Sequence, residues 1–307
     1  MPAFFAPVSL LIGLIGLIGL IGLIGLPSMA LAQSTVQNDN KTQASAPGHY
    51  LANIEVIAGS LSEPLAADSP LTLDLHSSDV AGLRAQLVDT SNVDIVNASE
   101  GSLRIRLSAG AKLTRPPSPP DHAASWVIDY DQPAVSTLGN LWREKVHSET
   151  ATPVTSNAAA QVRGLINFTA DQIDNPNSRH GLLIASQVAK RREGDCTEYA
   201  VLQTALARGA GYASRMVLGI VLVAAADEIR AYGHAWSEVH TGNQWVLADA
   251  TQLALDEGVQ GVWHLPIRQF EDEGFGHVLE MLKFAEQRPS SLTLIHNFET
   301  PGNIDSK

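Results

Sequence analysis

Three residues in the second half of the 307-residue chain could act together as an acyl-transfer site: Cys196, His234 and Asp249. A cysteine supplies a nucleophilic sulfur, a histidine takes and returns a proton near neutral pH, and an aspartate orients the imidazole. Cys196 is the only cysteine, which excludes an intramolecular disulfide and a zinc site with several cysteines. The chemistry therefore depends on elements that bring these three side chains together.

Cys196 stands at the predicted start of a helix that ends near Ala210. Asp195 and Glu198 form a capping-box pattern, which places Cys196 at the first helical position. There the helix dipole lowers the pKa of a thiol, and backbone N–H groups can hold an oxyanion. The two carboxylates act in the opposite direction, so holding a thiolate would need a charged histidine. A buried structural cysteine is the alternative interpretation.

The segments 232–240 and 245–251 are predicted to pair as a hairpin. In a symmetric register His234 and Asp249 share one face as diagonal neighbours, with their Cα atoms roughly 7–8 Å apart. Asp249 would then fix the tautomer of His234 and leave its other ring nitrogen to face a thiol. A register slip of one residue would place the two side chains on opposite faces. We expect the thiol of such a site to be exposed, with a lowered pKa.

Four segments in order resemble the transglutaminase-like superfamily: GDCTEYA (194–200), ARGAGYASR (207–215), GHAWSEV (233–239) and WVLADAT (245–251). The resemblance extends over about residues 160–255. It implies an α+β fold with a papain-like core, in which the cysteine helix packs on an antiparallel sheet. A small β-rich region precedes this core.

The resemblance implies that Cys196 is the nucleophile, His234 the base and then the acid, and Asp249 the orienting group. It implies acyl transfer through a thioester, with no cofactor and no metal. With water as acceptor the enzyme is a peptidase or amidase, which we favour. With a lysine amine it is a protein-crosslinking transglutaminase, and a non-catalytic binding module on the same scaffold is a further alternative.

The resemblance also weighs against two branches of the superfamily. The calcium-dependent crosslinking enzymes carry additional β-sandwich domains, and nothing in this sequence is typical of a calcium loop. The peptide N-glycanases usually carry CxxC zinc pairs, which a single cysteine excludes. The residue that holds the oxyanion is not identified by the sequence. Its candidates are Gln187, Trp142 and Trp126.

Shorter patterns predict the other elements and the organisation of the chain. Strands are predicted over residues 71–75, 83–88, 93–96, 103–107, 126–130, 216–223 and 291–295. Helices are predicted over residues 134–147, 158–174, 181–192 and 276–287. The predicted organisation is a leader (1–32), a flexible linker (33–48), a β-rich region (49–132), a catalytic core (133–265) and a C-terminal helix and strand completing the core (266–307).

The leader and the charge indicate where the chain acts and on what. Residues 11–25 repeat Leu-Ile-Gly, and Ala30-Leu31-Ala32 is a typical cleavage site, so we predict a secretory signal peptide. An uncleaved membrane anchor over residues 8–26 is the alternative. Either way the protein is exported, to the periplasm or as a secreted protein. A net charge of −12 argues against nucleic acid as a partner. The expected partner is a protein or peptide substrate, with a membrane involved only through the leader.

Overall fold

The computed structural model describes most of the chain after the predicted linker. The described residues are 50–57, 69–87, 90, 92–109, 116–149, 158–225, 228–254, 259–270, 272 and 276–295. All of them belong to one unit, Ser45–Lys307. The predicted leader and linker lie outside the described residues. Among the described helices, none is long and apolar enough to cross a membrane.

Strands and helices are interspersed along the described chain. The strands are β1 (Ala52–Ile57), β2 (Leu71–His76), β3 (Val93–Ser99), β4 (Ser102–Leu107), β5 (Asn175–Pro176), β6 (Glu193–Gly194), β7 (Ser214–Ala225), β8 (Glu228–His240), β9 (Trp245–Ala248), β10 (Val259–Gln269) and β11 (Ser291–Leu294). The helices are α1 (Val80–Leu87), α2 (Pro133–Glu149), α3 (Ala158–Ala170), α4 (Ala185–Arg191), α5 (Cys196–Gly209) and α6 (Gly276–Gln287).

Nine strands form one sheet, in the order β10-β7-β8-β1-β11-β2-β4-β3, with β9 beside β8. Neighbouring strands are antiparallel, except that β1 and β11 are parallel. Strand β11, from the C-terminal part of the chain, lies between β1 and β2 from the N-terminal part. One sheet therefore runs through both the predicted β-rich region and the predicted core. This mixed α+β architecture confirms the expected fold class.

Helix α5 is the central helix of the structure. It contacts β7 and β8 of the sheet and is also contacted by α2, α3 and α4. Residues 196–208 are all buried, including the fully buried Val201, Leu202 and Ala205. A helix that is enclosed by other elements in this way is held by packing around its whole circumference. Its first residue is therefore fixed in position relative to β8.

The predicted strand over residues 83–88 is wrong, because its described part belongs to α1. Leu83 and Leu87, one helical turn apart, are both buried. At the start of the helix Asp79 Oδ1 accepts a hydrogen bond of 2.8 Å from the Gly82 N–H. The spacing of four between Leu83 and Leu87 is helical. The short apolar run around them also fits a strand, so it hid the helical pattern.

The predicted strand over residues 126–130 is also wrong, since this segment forms turns. The Tyr130 N–H donates to the carbonyl of Ile128 at 2.9 Å, which closes a tight turn instead of a ladder. Val127 and Ile128 are fully buried, so their apolar character reflects burial in the core and not strand pairing. The helix predicted over 181–192 is shorter than expected and is confined to α4. The remaining predicted strands and helices are confirmed, with ends displaced by a few residues.

Candidate active site

Cys196 is the first residue of α5, as predicted. Asp195 Oδ1 accepts a hydrogen bond of 3.0 Å from the Thr197 N–H, and Glu198 Oε2 accepts one of 3.0 Å from the Asp195 N–H. The predicted capping box is thus present. Gly194 precedes it with a φ of +150°, and a Cβ atom there would overlap the side chain of Glu198. Only glycine allows the box to close in this form.

The Cys196 thiol is fully buried in the resting structure. Burial raises its pKa well above the usual value, and the nearby carboxylates, Asp195 first among them, raise it further. A hydrogen bond from the Ala235 N–H to the sulfur acts in the opposite direction. The expectation of an exposed thiol with a lowered pKa is therefore wrong for this state, because burial and the nearby carboxylates outweigh the hydrogen bond from the Ala235 N–H.

One edge of β8 changes partner beside this thiol. Strand β1 pairs with β8 up to Gly233, and β9 pairs with it from Ser237. Among the described strands none pairs with residues 234–236 on that edge. N–H groups that point to one edge of a strand recur every second residue, so the Ala235 N–H lies in the gap between β1 and β9. There it donates to Cys196 Sγ.

Two hydroxyl groups fix α5 against β8 next to the gap. The Ser237 hydroxyl donates to the carbonyl of Ala200 at 2.9 Å, one helical turn after Cys196. Thr204 Oγ1, one turn further, lies 2.8 Å from Ser237 Oγ. These buried contacts fix the position of Cys196 along β8, the strand that also carries His234.

His234 and Asp249 meet as the hairpin register predicts. His240 pairs with Trp245 and Ser237 with Ala248, so Asp249 follows directly after β9. His234 Nε2 donates to Asp249 Oδ2 at 2.7 Å, and both side chains are only 1% exposed. His234 Nδ1 is buried and has no hydrogen-bond partner among the described residues.

Asp249 is held by donors on both of its oxygens. Oδ1 accepts a hydrogen bond of 2.9 Å from the Thr251 N–H, and Oδ2 accepts from His234 and from His264. Burial alone would raise the pKa of Asp249, but the charge of His234 and the hydrogen bonds from both histidines outweigh it and lower that pKa. Asp249 is therefore an ionised carboxylate at neutral pH.

His264 is a site residue that the sequence did not predict. It lies on β10, and its Nε2 is 2.9 Å from Asp249 Oδ2. The strand escaped prediction because Pro266 interrupts the pattern, and Pro266 lies at a shift in the β10–β7 register, where a missing N–H is tolerated. The signal that could have found it is the apolar run that surrounds His264 from Val262 to Ile267.

Aromatic rings cover one side of His234. Tyr232, His234 and Trp236 alternate along β8 and so share a face of the sheet. Tyr50 stacks on Tyr232 with ring centroids 4.4 Å apart, and it meets His234 edge-on at 5.3 Å. Burial, and then the charge of Asp249, raise the pKa of Tyr50. The site thus includes a residue from just before β1, which the sequence also did not indicate.

His234, Asp249 and His264 could together hold a metal ion. One ligand atom of each lies within 4.8 Å of the others, and two imidazoles with a carboxylate are a common donor set for divalent metals. In the structure the same atoms make hydrogen bonds to one another. Asp249 Oδ2 can therefore bind a metal ion or accept the hydrogen bond from His234, but not both at once.

The three candidates for holding the oxyanion lie in different surroundings. Trp142 is buried on α2, Gln187 is half-buried on α4, and Trp126 is 61% exposed in the turn region before α2. No described hydrogen bond or ring contact joins any of them to Cys196 or His234. Their role stays a prediction.

Comparison with known proteins confirms the predicted resemblance. The transglutaminase-like superfamily profile matches residues 144–250, which include Cys196, His234 and Asp249 but not His264. The chain is also similar to a candidate cysteine protease from Cytophaga hutchinsonii, with 15% identity over 80% of this chain and 83% of that chain, at a TM-score of 0.41. It is similar as well to the periplasmic domain of TgpA from Pseudomonas aeruginosa bound to ethylmercury. That similarity has 14% identity over 68% of this chain and 87% of that chain, at a TM-score of 0.33. No curated protein matches the sequence significantly.

Proposed function

We propose that this chain, which contains a transglutaminase-like superfamily domain over residues 144–250, is a cysteine-dependent acyl-transfer enzyme that hydrolyses amide bonds. Its substrate is the amide bond of a protein or peptide. Cys196 is the nucleophile, His234 is the base and then the acid, and Asp249 orients His234. The carbonyl carbon of the substrate is held as a thioester on Cys196 between the two halves of the reaction.

The observation that carries the proposal is the asymmetric environment of His234. Its Nε2 is bound to an ionised aspartate at 2.7 Å, whereas its Nδ1 is buried without a partner among the described residues. An unpaired buried nitrogen costs free energy, so it is a feature that a purely structural histidine tends to avoid. Cys196 Sγ accepts a hydrogen bond from the N–H of Ala235, so the thiol contacts the backbone of the residue next to His234.

In the first half of the reaction, Cys196 Sγ attacks the carbonyl carbon and its proton passes to His234 Nδ1. The carbonyl π electrons move to oxygen and form an oxyanion, which the positive end of the α5 dipole stabilises. The C–N bond then breaks, and the leaving nitrogen takes the proton from His234 Nδ1. An amine departs and a thioester remains. Asp249 stabilises the imidazolium in between, because its carboxylate accepts the Nε2–H.

In the second half, a water molecule attacks the thioester carbon and gives its proton to His234 Nδ1. The C–S bond breaks, the thiolate regains that proton, and a carboxylic acid leaves. An amine in place of water would give a new amide and thus crosslinking. The same residues serve both outcomes, so the identity of the acceptor is decided by measurement of the products.

The raised pKa of Cys196 favours proton transfer during the attack over a preformed ion pair. A buried neutral thiol becomes nucleophilic only when His234 removes its proton, which is general base catalysis. Because Sγ has no exposed surface, the residues that cover it have to move when a substrate binds. Both properties protect the thiol from oxidants between catalytic cycles.

We also propose that the enzyme works outside the cytoplasm. The proposal is supported by the apolar leader and by the cleavage pattern Ala30-Leu31-Ala32, both of which lie outside the described residues. An exported amidase would act on secreted or cell-surface proteins and peptides. N-terminal sequencing of the protein recovered from culture medium or periplasm checks this proposal: a start at Gln33 supports it, and retention of Met1 in the membrane contradicts cleavage.

The function is tested with the purified full chain, unfolded casein as amide substrate and monodansylcadaverine as amine. We expect the wild type to release peptides or ammonia and to form a thioester, visible by intact mass on acid quenching. Cys196→Ala abolishes both, and His234→Gln lowers the rate by about 1,000-fold or more. Thermal unfolding of both variants verifies that they are folded.

The products distinguish the alternatives. Incorporation of dansylcadaverine without hydrolysis would replace the proposed amidase by a crosslinking enzyme. Equal rates for wild type and Cys196→Ala, with no thioester, would leave a binding module as the interpretation of this scaffold. The variant Cys196→Ser is the matched control, since it keeps the size and a hydroxyl at the start of α5 but is a much weaker nucleophile.

A further inference from the structure

Asp249 Oδ2 is shared by two histidines, of which the proposed mechanism uses only one. His234 Nε2 lies 2.7 Å from this oxygen and His264 Nε2 lies 2.9 Å from it. Because Asp249 is ionised, it has no proton to donate, so each contact is attractive only when the histidine carries the hydrogen on Nε2. The two contacts therefore require the hydrogen on Nε2 in both rings. The side-chain nitrogen of Gln252 is placed 3.0 Å from His264 Nε2, so the Gln252 amide has to turn its oxygen towards that N–H.

Burial and the charges around His264 act on its pKa in opposite directions. Burial lowers the pKa of His264, and this effect outweighs the hydrogen bond and the charge of Asp249, which act to raise it. The positive charge of His234 lowers it further. The geometry requires the ring to carry Nε2–H where it contacts the ionised Asp249 Oδ2, so His264 is an N–H donor to that carboxylate.

Packing holds the His264 ring in one place. Its backbone carbonyl accepts a hydrogen bond of 2.8 Å from Asn92 Nδ2, which anchors β10 at this residue. The Trp236 ring meets it edge-on, with centroids 4.9 Å apart. Trp236 occupies the space above Gly219, where a Cβ atom would overlap the indole. Gly219 therefore makes room for the ring that confines His264.

We infer that His264 is a positioning residue of the acyl-transfer reaction, which holds the Asp249 carboxylate against His234 and so keeps His234 Nδ1 free to accept the thiol proton. This inference rests on the function proposed above. The Thr251 N–H fixes one oxygen of Asp249 and His264 fixes the other. Without His264, the carboxylate loses one of the donors that set its rotation, and His234 loses its fixed orientation.

The test compares two replacements of His264 in the purified full chain. His264→Gln can place an amide N–H where the ring has Nε2–H, and His264→Phe keeps a ring without a donor. The readout is the rate of Cys196 alkylation by iodoacetamide with EDTA present, for each variant alone and combined with His234→Ala. A second readout is the downfield proton NMR signal of the His234 Nε2–H.

We expect His264→Phe to lower the His234-dependent alkylation rate by about 10- to 100-fold and to remove the downfield signal. His264→Gln should restore most of both. His76 provides the matched control. It lies on β2, three strands away from β8 in the sheet, and its Nε2 is 2.8 Å from Thr293 Oγ1. His76→Phe should leave the alkylation rate unchanged. If His264→Phe does not fold, His264→Met takes its place as the variant without a donor.

Three outcomes would overturn the inference. A wild-type rate that exceeds the His234→Ala rate while His264→Phe equals wild type leaves the proposed function intact and removes the role of His264. A wild-type alkylation rate equal to that of His234→Ala, together with equal rates of casein hydrolysis for wild type and Cys196→Ala, removes the proposed function itself. A wild-type rate that rises when EDTA is added, with no such rise in His264→Phe, shows that the three residues hold a metal ion instead.

Discussion

Glu198 and Asp249 are two buried carboxylates that both raise the pKa of Cys196. Their own pKa values are shifted in opposite directions from that of an ordinary acid. Glu198, in the cap of α5, has its pKa raised to about 7, first by burial and then by the charge of Asp195. For Asp249, burial acts in the same direction, but His234 and His264 outweigh it and lower the pKa. Burial is common to both, so the partners decide the direction.

The nature of the donors explains this difference. Glu198 accepts hydrogen bonds from backbone N–H groups of Leu183 and Asp195, which carry no charge. Asp249 faces histidines, one of which becomes a cation when it takes a proton. The carboxylate that caps the helix can therefore lose its charge near neutral pH, whereas Asp249, between two histidines, keeps its charge. The comparison separates the acid that caps α5 from the acid to which we assign a role in catalysis.

The largest effect is expected from Asp249→Asn, which removes the charge and keeps the shape. An asparagine can present its amide group to His234, which favours the wrong tautomer of the ring, so amide hydrolysis should fall about 10,000-fold. The measurement is kcat/KM on the substrate of the casein experiment, with thermal unfolding as the check of folding. A loss smaller than tenfold would show that Asp249 is no more functional than Glu198.

The next effect concerns the glycine beneath the Glu198 side chain. Gly194 and Gly101 both have a positive φ, but an added Cβ would meet Glu198 at the first and nothing within 4 Å at the second. Gly101→Ala should lower the free energy of unfolding by about 1 kcal/mol through backbone strain alone. Gly194→Ala should cost about 1–3 kcal/mol more, because the cap has to open. Urea denaturation of the two variants measures the difference, and equal costs would contradict the role of the cap.

The smallest effect is a pH dependence of stability that Glu198 should cause. Its pKa is higher in the folded protein, at about 7, than the ordinary value of 4.5, so the folded state favours the protonated form. That stabilisation is complete below pH 4.5 and is lost as the pH rises through 7. Asp249, with a lowered pKa, contributes stability that is present above pH 3.8 and lost on acidification.

Urea denaturation at pH 5 and pH 8 checks the assignment to Glu198. The free energy of unfolding of the wild type should decrease from pH 5 to pH 8. In Glu198→Gln this decrease should be smaller by about 1–3 kcal/mol. The exposed Glu100 on the turn before β4 offers the control, and Glu100→Gln should keep the wild-type decrease. The same decrease in all three proteins would assign the titration to another group.

Local patterns allowed the prediction of one half of the site. The capping box of Asp195 and Glu198 depends on residues three apart, and it placed Cys196 at the start of α5. The hairpin register depends on a short loop, and it placed His234 and Asp249 on one face. In both cases the determining contacts lie within a few residues of each other, which is where sequence patterns are most informative.

The other half depends on contacts between distant segments. His264 reaches Asp249 because β10 lies beside β7, and Tyr50 reaches His234 because β1 pairs with β8. No local pattern encodes which strands are neighbours in the sheet. The burial of the thiol was missed for the same reason, since a helix N-terminus is polar by itself and becomes dry only when other elements cover it. The strand predicted over residues 83–88 was wrong because a short apolar run fits both the helical and the strand periodicity.

The change of partner on β8 also has a consequence for the order of folding. The gap that holds the Ala235 N–H exists only when β1 has paired with β8 at Gly233 and β9 has paired from Ser237. Strand β1 is in turn flanked by β11, near the opposite end of the described chain. Such long-range pairings form late and slowly. A partly synthesised chain therefore has the cysteine but lacks the gap that holds its sulfur, and the flank of β1 is complete only when β11, the last of the described strands, is in place.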